Sequence, residues 1–295
     1  MRGAAVSTLR SLAVLALLVL LGGCAMVRLA YNNAEPLVRY NAHTYFDLNE
    51  QQNEQFRTRL LQFHDWHRAT ELPLYAGLLR AAAQRGEAGI GREDVAWAAA
   101  ELRARYRLII GKAVEEAAPI LVTLSPLQLT ELERRLARAN AKYAREFLPA
   151  DEERRYRAQR KRLLERFRDW VGPLTDDQEA RIGRFVKTQM PTAAMRFDNR
   201  KRWQREAVGL LRQHRSPKDL APRLADVFLQ PANHRLPEFV QALVAWESDL
   251  TDLILDIERT LSPEQRAHVL RRVKSYADDF EALAAQSGIA SAATQ

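Results

Sequence analysis

One cysteine in 295 residues, Cys24, leaves no second thiol, so no internal disulfide can staple this chain. Long apolar runs are missing too. The longest is the ten residues Leu12–Leu21, half of the roughly 20 that a membrane-spanning helix needs. Stretches of alternating apolar and polar residues are absent, which argues against an exposed sheet. No Ser-His-Asp order, HExxH helix or glycine-rich phosphate loop occurs, and nothing singles out one pair of carboxylates. Enzymatic chemistry is therefore not expected, and neither is a cofactor.

What is present begins with a basic start, Arg2 and Arg10, followed by the Leu12–Leu21 run and then Gly22-Gly23-Cys24. These are the proportions of a secretory signal peptide. The tetrapeptide Leu21-Gly22-Gly23-Cys24 resembles the bacterial lipobox, in which the cysteine is lipidated and becomes the first mature residue. The resemblance implies a signal peptide over 1–23 and a membrane anchor through lipid on Cys24. Ala25 stands where an Asp would signal retention in the inner membrane. By the same resemblance the expected location is the outer membrane, facing the periplasm.

A five-residue shape recurs four times: Leu48-Asn49-Glu50-Gln51-Gln52, Leu124-Ser125-Pro126-Leu127-Gln128, Leu174-Thr175-Asp176-Asp177-Gln178 and Leu261-Ser262-Pro263-Glu264-Gln265. Each reads as a helix start. The Asn, Ser or Thr at the cap accepts from the backbone N–H three residues on, and the Gln there reaches back to the cap's own N–H. The preceding Leu is placed as a hydrophobic staple, and Pro126 and Pro263 occupy the first helical position, where proline is tolerated. The glutamines are expected to serve their own backbone.

Apolar residues at helical spacing fill the intervals between these starts. Phe56, Leu60, Phe63 and His67 follow the first motif, and a helix from about Arg92 is expected to end at Pro119. Phe239, Leu243, Trp246, Leu250, Leu253 and Ile257 form the clearest stripe. The fold class expected is all-α, a multi-helix antiparallel bundle. Residues 24–46, with Tyr31-Asn32-Asn33 and Pro36, read as a tether. The motifs pair naturally as one with two and three with four, giving tandem helical halves at 47–171 and 174–286, then a disordered tail at 287–295.

Positive charge is concentrated. Thirteen Lys or Arg stand against six acids between Glu133 and Arg168, and eight against two between Met195 and Lys218. Such stripes would suggest nucleic acid in the cytosol, but export removes that partner. Anionic lipid headgroups, lipopolysaccharide and acidic or unfolded polypeptides remain, with Arg154, Arg155, Arg160, Lys161, Arg162, Arg200, Lys201 and Arg202 as contact candidates. The alternative is a solvated face laced with i,i+4 ion pairs. His64 and His67 sit at i,i+3 on a helix and would offer two ligands to a zinc ion, with Glu71 or His43 as a third. Packing between helices is the competing reading for this aromatic-rich stretch. The tryptophans fall on apolar stripes and read as core anchors.

The repeated L-[ST]-x-x-Q shape resembles that of the periplasmic Spy and CpxP proteins, an all-α family of stress chaperones and regulators with two motifs per chain. Four motifs imply a tandem version and a client-binding or envelope-stress role. A broader resemblance is to an uncharacterised family of proteobacterial lipoproteins. It rests on the lipobox, Tyr31-Asn32-Asn33, the first motif, Trp66-His67-Arg68 with Glu71-Leu72-Pro73-Tyr75, and the last motif helix with Tyr276 and Phe280. The alternative role is an assembly lipoprotein that binds one folded envelope partner or lipopolysaccharide.

Overall fold

The structure, a computed structural model, describes residues 24–189, 192–230 and 235–292, with side chains over 27–189, 192–230 and 235–286. Leu21, Gly22, Gly23 and the rest of the expected signal peptide lie outside the described residues, as does the side chain of Cys24. The chain is all-α, a multi-helix fold with no strand among the described residues. No described helix is long and apolar enough to cross a membrane.

In chain order the helices are α1 (Cys24–Asn32), α2 (Ala34–Phe46), α3 (Glu50–Trp66), α4 (Leu72–Gly86), α5 (Arg92–Leu121), α6 (Pro126–Phe147), α7 (Glu152–Val171), α8 (Asp176–Gln189), α9 (Thr192–Gln213), α10 (Pro217–Leu229), α11 (Pro237–Glu258) and α12 (Pro263–Ala292). A π-helical turn, His67–Glu71, joins α3 to α4. Pro73 accounts for it: the ring has no N–H and crowds the carbonyl four residues back, so the chain widens there instead of continuing as a regular α-helix.

Two compact units result. The first contains residues up to His67, then Tyr106–Glu146 and Phe197–Leu236; the second contains Arg68–Arg105, Phe147–Arg196 and Pro237 onward. These are not the sequential halves 47–171 and 174–286, because the chain passes between units several times, within α5 and α9 as well as at loops. The first core gathers Ala42 and Tyr45 of α2, Val114 and Ala118 of α5, Leu129 and Leu132 of α6, Val208 and Leu211 of α9, and Leu220 and Leu224 of α10. The second gathers Leu164 and Val171 of α7, Ile182 of α8, and Leu253 and Ile257 of α11. Leu48 and Leu124 enter the first core, while Leu174 and Leu261 pack against the second.

Three expectations need correction. Residues 24–46 are not a tether, since α1 and α2 are helical and bury Val27, Tyr31, Ala34, Ala42 and Tyr45. Pro36 sits in the first turn of α2, where its missing N–H would have no helical partner anyway. Pro119 lies inside α5, which runs on to Leu121. The tail reading fails for 287–292, whose backbone continues α12, and residues 293–295 lie outside the described ones.

All four motifs form complete capping boxes. The cap N–H donates to the Gln Oε1 at 3.1, 2.9, 3.0 and 3.0 Å for Asn49, Ser125, Thr175 and Ser262. The Gln N–H returns a bond to the cap oxygen in each case. The glutamines then do something that spacing alone does not announce. Gln128 Nε2 donates to Gln52 Oε1 at 2.8 Å and to the Asp47 carbonyl at 2.9 Å. Gln52 Nε2 donates to the Thr123 carbonyl and hydroxyl, both at 3.0 Å, and lies 3.4 Å from Gln128 Oε1. The second unit repeats the pattern. Gln178 and Gln265 exchange amide bonds at 3.1 and 3.0 Å, Gln178 reaches Thr260, and Gln265 reaches the Pro173 carbonyl at 2.6 Å. In both units each amide grips the residue five places before the partner glutamine. Motifs one and two, and three and four, are therefore joined across each unit.

Gln178 is fully buried and Gln265 nearly so, whereas Gln128 is only half-buried. Removing one amide leaves its partner's polar atoms unsatisfied, a loss of about 1–3 kcal/mol in dry surroundings. Gln178→Ala should thus destabilise its unit by about 2–3 kcal/mol, more than Gln128→Ala destabilises the other. Urea unfolding followed by circular dichroism, with the Gln178/Gln265 double-mutant cycle, checks this; additive single-mutant losses would show that the two amides are not coupled.

Candidate functional site

The second unit carries an open basic groove between α7 and α8, a cavity of about 770 Å³. Tyr156, Arg157, Arg160, Lys161, Leu164 and Arg168 line it from α7, and Glu179, Ala180, Gly183, Arg184 and Lys187 line it from α8. Six cations thus face one carboxylate. Gly183 leaves room for the ends of two α7 side chains. A Cβ there would stand 3.0 Å from the Tyr156 hydroxyl and 3.3 Å from Arg160 Nε. Leu164 and Ile182, buried in the core beneath, fix the pair from inside.

Glu179 organises the floor. It receives Arg160 at 3.1 Å and also pairs with Arg168. Its charge is therefore already neutralised by two guanidinium groups. Among the described residues Arg157 and Lys161 pair with loose same-helix neighbours, Glu153 at 3.8 Å and Glu165 at 3.9 Å, which contribute little at an exposed surface. Arg184 and Lys187 are exposed. An incoming anion would meet several cations within one screening length of about 8 Å at physiological salt.

The structure sorts the cations singled out in sequence. Arg160 and Lys161 line the groove. Arg154 is exposed, its backbone N–H held by the Asp151 cap. Arg155 donates to the Pro149 carbonyl at 2.8 Å, and Arg162 lies over the Phe147 ring at 5.0 Å. On α9, in the other unit, Arg200 bonds Asn140 Oδ1 at 2.8 Å and covers Tyr143, while Lys201 pairs with Asp198 and covers Phe197. Arg202 is exposed. The α9 stripe is thus largely tied to its own unit. Arg157, Arg168, Arg184 and Lys187 were not singled out by sequence. The only signal for the last two was their i,i+3 spacing beside Gly183 and Ala180 on α8.

His64 and His67 belong to an aromatic cluster in the first unit. The Tyr31 ring stacks on His64 at 4.7 Å and on His67 at 5.8 Å between centroids. The Tyr31 hydroxyl is 3.0 Å from His67 Nδ1, and His64 Nε2 is 3.4 Å from the Tyr31 carbonyl. Phe63 and Trp66 pack beside them. The Tyr31-Asn32-Asn33 and Trp66-His67-Arg68 stretches, far apart in sequence, meet here. Among the described residues no group of three His, Cys, Asp or Glu side chains could hold a metal ion. The zinc reading is corrected on that ground: the two histidines have no third ligand among the described residues, and one ring nitrogen of each faces Tyr31. Glu71 is buried in the second unit with Arg105 at 3.6 Å, and burial pushes its carboxyl upward against the pull of that guanidinium. The tryptophans are half-buried, and contrary to expectation none enters the buried core: Trp170 packs against the second core and stacks on Tyr276, Trp203 meets Phe228, and Trp97 lies under Arg85.

Burial, with the neighbouring His64, lowers the His67 pKa from 6.5 to about 4. The folded state therefore holds His67 neutral where the unfolded chain would already be protonated. The His67 contribution is complete above pH 6.5 and is lost as pH falls toward 4. The full loss is at most about 3 kcal/mol. Urea midpoints at pH 7.5, 5.5 and 4.5 should fall for the native protein and fall less for His67→Phe; parallel slopes would assign the acid sensitivity elsewhere.

Three comparisons with known proteins place the chain without giving it an activity. No curated protein matches, and no solved structure matches. A protein-family model described as a family of unknown function, DUF6279, matches residues 44–240, which include the first three motifs, both groove helices and the α9 stripe. That span is well over half of the chain, and the protein belongs to this family of unknown function.

Proposed function

We propose that this protein is a lipid-anchored, non-catalytic binding scaffold of the bacterial envelope, held at the outer membrane through Cys24 and facing the periplasm. Its basic groove takes acidic stretches of unfolded or extended polypeptide. The observation that carries this reading is the cation surplus of the α7–α8 groove, where Glu179 is already engaged by Arg160 and Arg168.

The lipobox and the signal-like start support the compartment. The capping-box motifs, similar to those of the Spy and CpxP chaperones, support a binding role over a catalytic one. The groove is shallow and open, which suits an extended chain passing across it better than an enclosed small molecule. Its apolar lining, Ala180 with the Tyr156 ring, offers contact for side chains between the acids.

Fluorescence anisotropy with a labelled Glu- and Asp-rich peptide tests this. Binding should weaken with salt and fall at least tenfold, about 1.4 kcal/mol, in Arg157→Glu/Arg184→Glu/Lys187→Glu. Arg202→Glu on the other unit should leave it unchanged. Slowed aggregation of a denatured acidic client at near-stoichiometric ratios should track the same variants. Equal binding of a neutral peptide, or indifference to the triple charge reversal, defeats the proposal. Displacement by lipopolysaccharide alone, with no peptide binding, would assign the groove to that ligand instead.

A further inference from the structure

The first helices present an apolar face that the core does not use. Only Asn33, at φ −103° and ψ 14°, separates α1 from α2; its N–H bonds the Leu29 carbonyl at 3.1 Å, and each helix has its own register. Within each helix, at 100° per residue, Val27 and Tyr31 of α1 and Ala34, Ala42 and Tyr45 of α2 fall on one side, and all are buried. Leu29 of α1 and Pro36, Leu37 and Tyr40 of α2 fall within an arc on the opposite side. They are exposed, with Leu29 at 58%, Leu37 at 43% and Tyr40 at 54%. Asn33 and Thr44 share that arc, so the outward face is apolar in part, and its large apolar side chains are exposed.

We infer that this outward face, Leu29–Pro36–Leu37–Tyr40, is the surface by which the first unit seats on the lipid bilayer. The inference rests on the proposed acylation of Cys24 and deepens it. α1 begins at Cys24 itself, and Val27, three residues on, is fully buried. No flexible linker separates the anchor from the fold, so the first turns of α1 must lie at the membrane surface. Over the 11 steps from Leu29 to Tyr40 the face extends about 16 Å, along two consecutive helices of which the first starts at the anchor. A tyrosine suits this position, with its ring in the acyl boundary and its hydroxyl among headgroups. Arg28 is exposed on the same helix, on the flank of the apolar arc, where it can meet anionic headgroups. A protein partner fits less well. Four side chains fall far short of the roughly 20–30 residues a side of a stable protein interface.

The test uses the protein matured in an acylating bacterial host, purified in detergent and reconstituted into vesicles of phosphatidylethanolamine and phosphatidylglycerol. Cys24 is the sole native cysteine, so once it is acylated Leu37→Cys, Tyr40→Cys and the exposed control Leu127→Cys each offer one free thiol for an environment-sensitive label. Labels at 37 and 40 should shift to the blue and lose at least half their emission to shallow nitroxide lipids, while the label at 127 stays wet. Acylated protein whose labels at 37 and 40 behave like that at 127 overturns the seating inference and leaves the anchor intact. A free Cys24 by mass spectrometry overturns both. Labels that are already dry in detergent-free solution without vesicles would mean that a second copy covers the face, which also overturns it.

Discussion

The reciprocal glutamine pair is the contact on which each unit is organised. Its chemistry explains why the residue is glutamine. The side-chain oxygen must accept from its own cap N–H and from the partner amide, while the nitrogen must donate to the partner oxygen and to a carbonyl of the opposite loop. Only an amide offers donor and acceptor on one planar group. Two glutamates would set like charges together in a dry site. Asparagine is a methylene short for reaching its own cap and the facing helix at once. A feature that begins as a local helix start thereby becomes a long-range tie between segments 76 residues apart in one unit and 87 in the other.

That tie explains how a chain of interleaved segments can form two self-consistent units. α5 is followed two residues on by Thr123, which receives Gln52 and leads into the Ser125 cap. α11 is followed two residues on by Thr260, which receives Gln178 and leads into the Ser262 cap. In both, a threonine two residues before a cap closes the preceding helix through its hydroxyl, bonded at 2.7 Å to Ile120 and 2.8 Å to Ile257. The recurrence of the same threonine, cap and glutamine at the same offsets is stronger support for a duplicated building block than the motif spelling alone.

Much of the fold was legible because its signals are local. Caps and prolines at first turns act within a few residues and were readable as written. The failures share a cause as well. The dipeptide Asn32-Asn33 and Pro36 suggest irregular chain by propensity, yet burial of Val27, Tyr31 and Tyr45 overrides that preference. Pro119 is a breaker by the same rules, but α5 continues to bury Ile120. The glutamine clasp was invisible because it depends on which cap faces which. The groove was half legible, since a run of arginines shows the charge but not its neighbours.

Those neighbours decide where the positive charge is available. Arg135 grips Glu131 and the carbonyls of His43 and Thr44; Arg212 grips Glu133; Arg200 is engaged by Asn140 and Tyr143. Each of these cations stabilises a helix end or a helix pair, and an incoming anion would have to displace a partner already in place. On α8 the situation differs. Its acids, Asp176, Asp177 and Glu179, cluster in the first turn, where they favour the helix dipole, while Arg184 and Lys187 follow toward the end. α8 pairs Arg181 with Asp177 at 2.8 Å and carries Arg184 and Lys187 further from its first-turn carboxylates. Packed against arginine-rich α7 at Gly183, it leaves a groove whose charge comes from helix design on one side and sequence composition on the other.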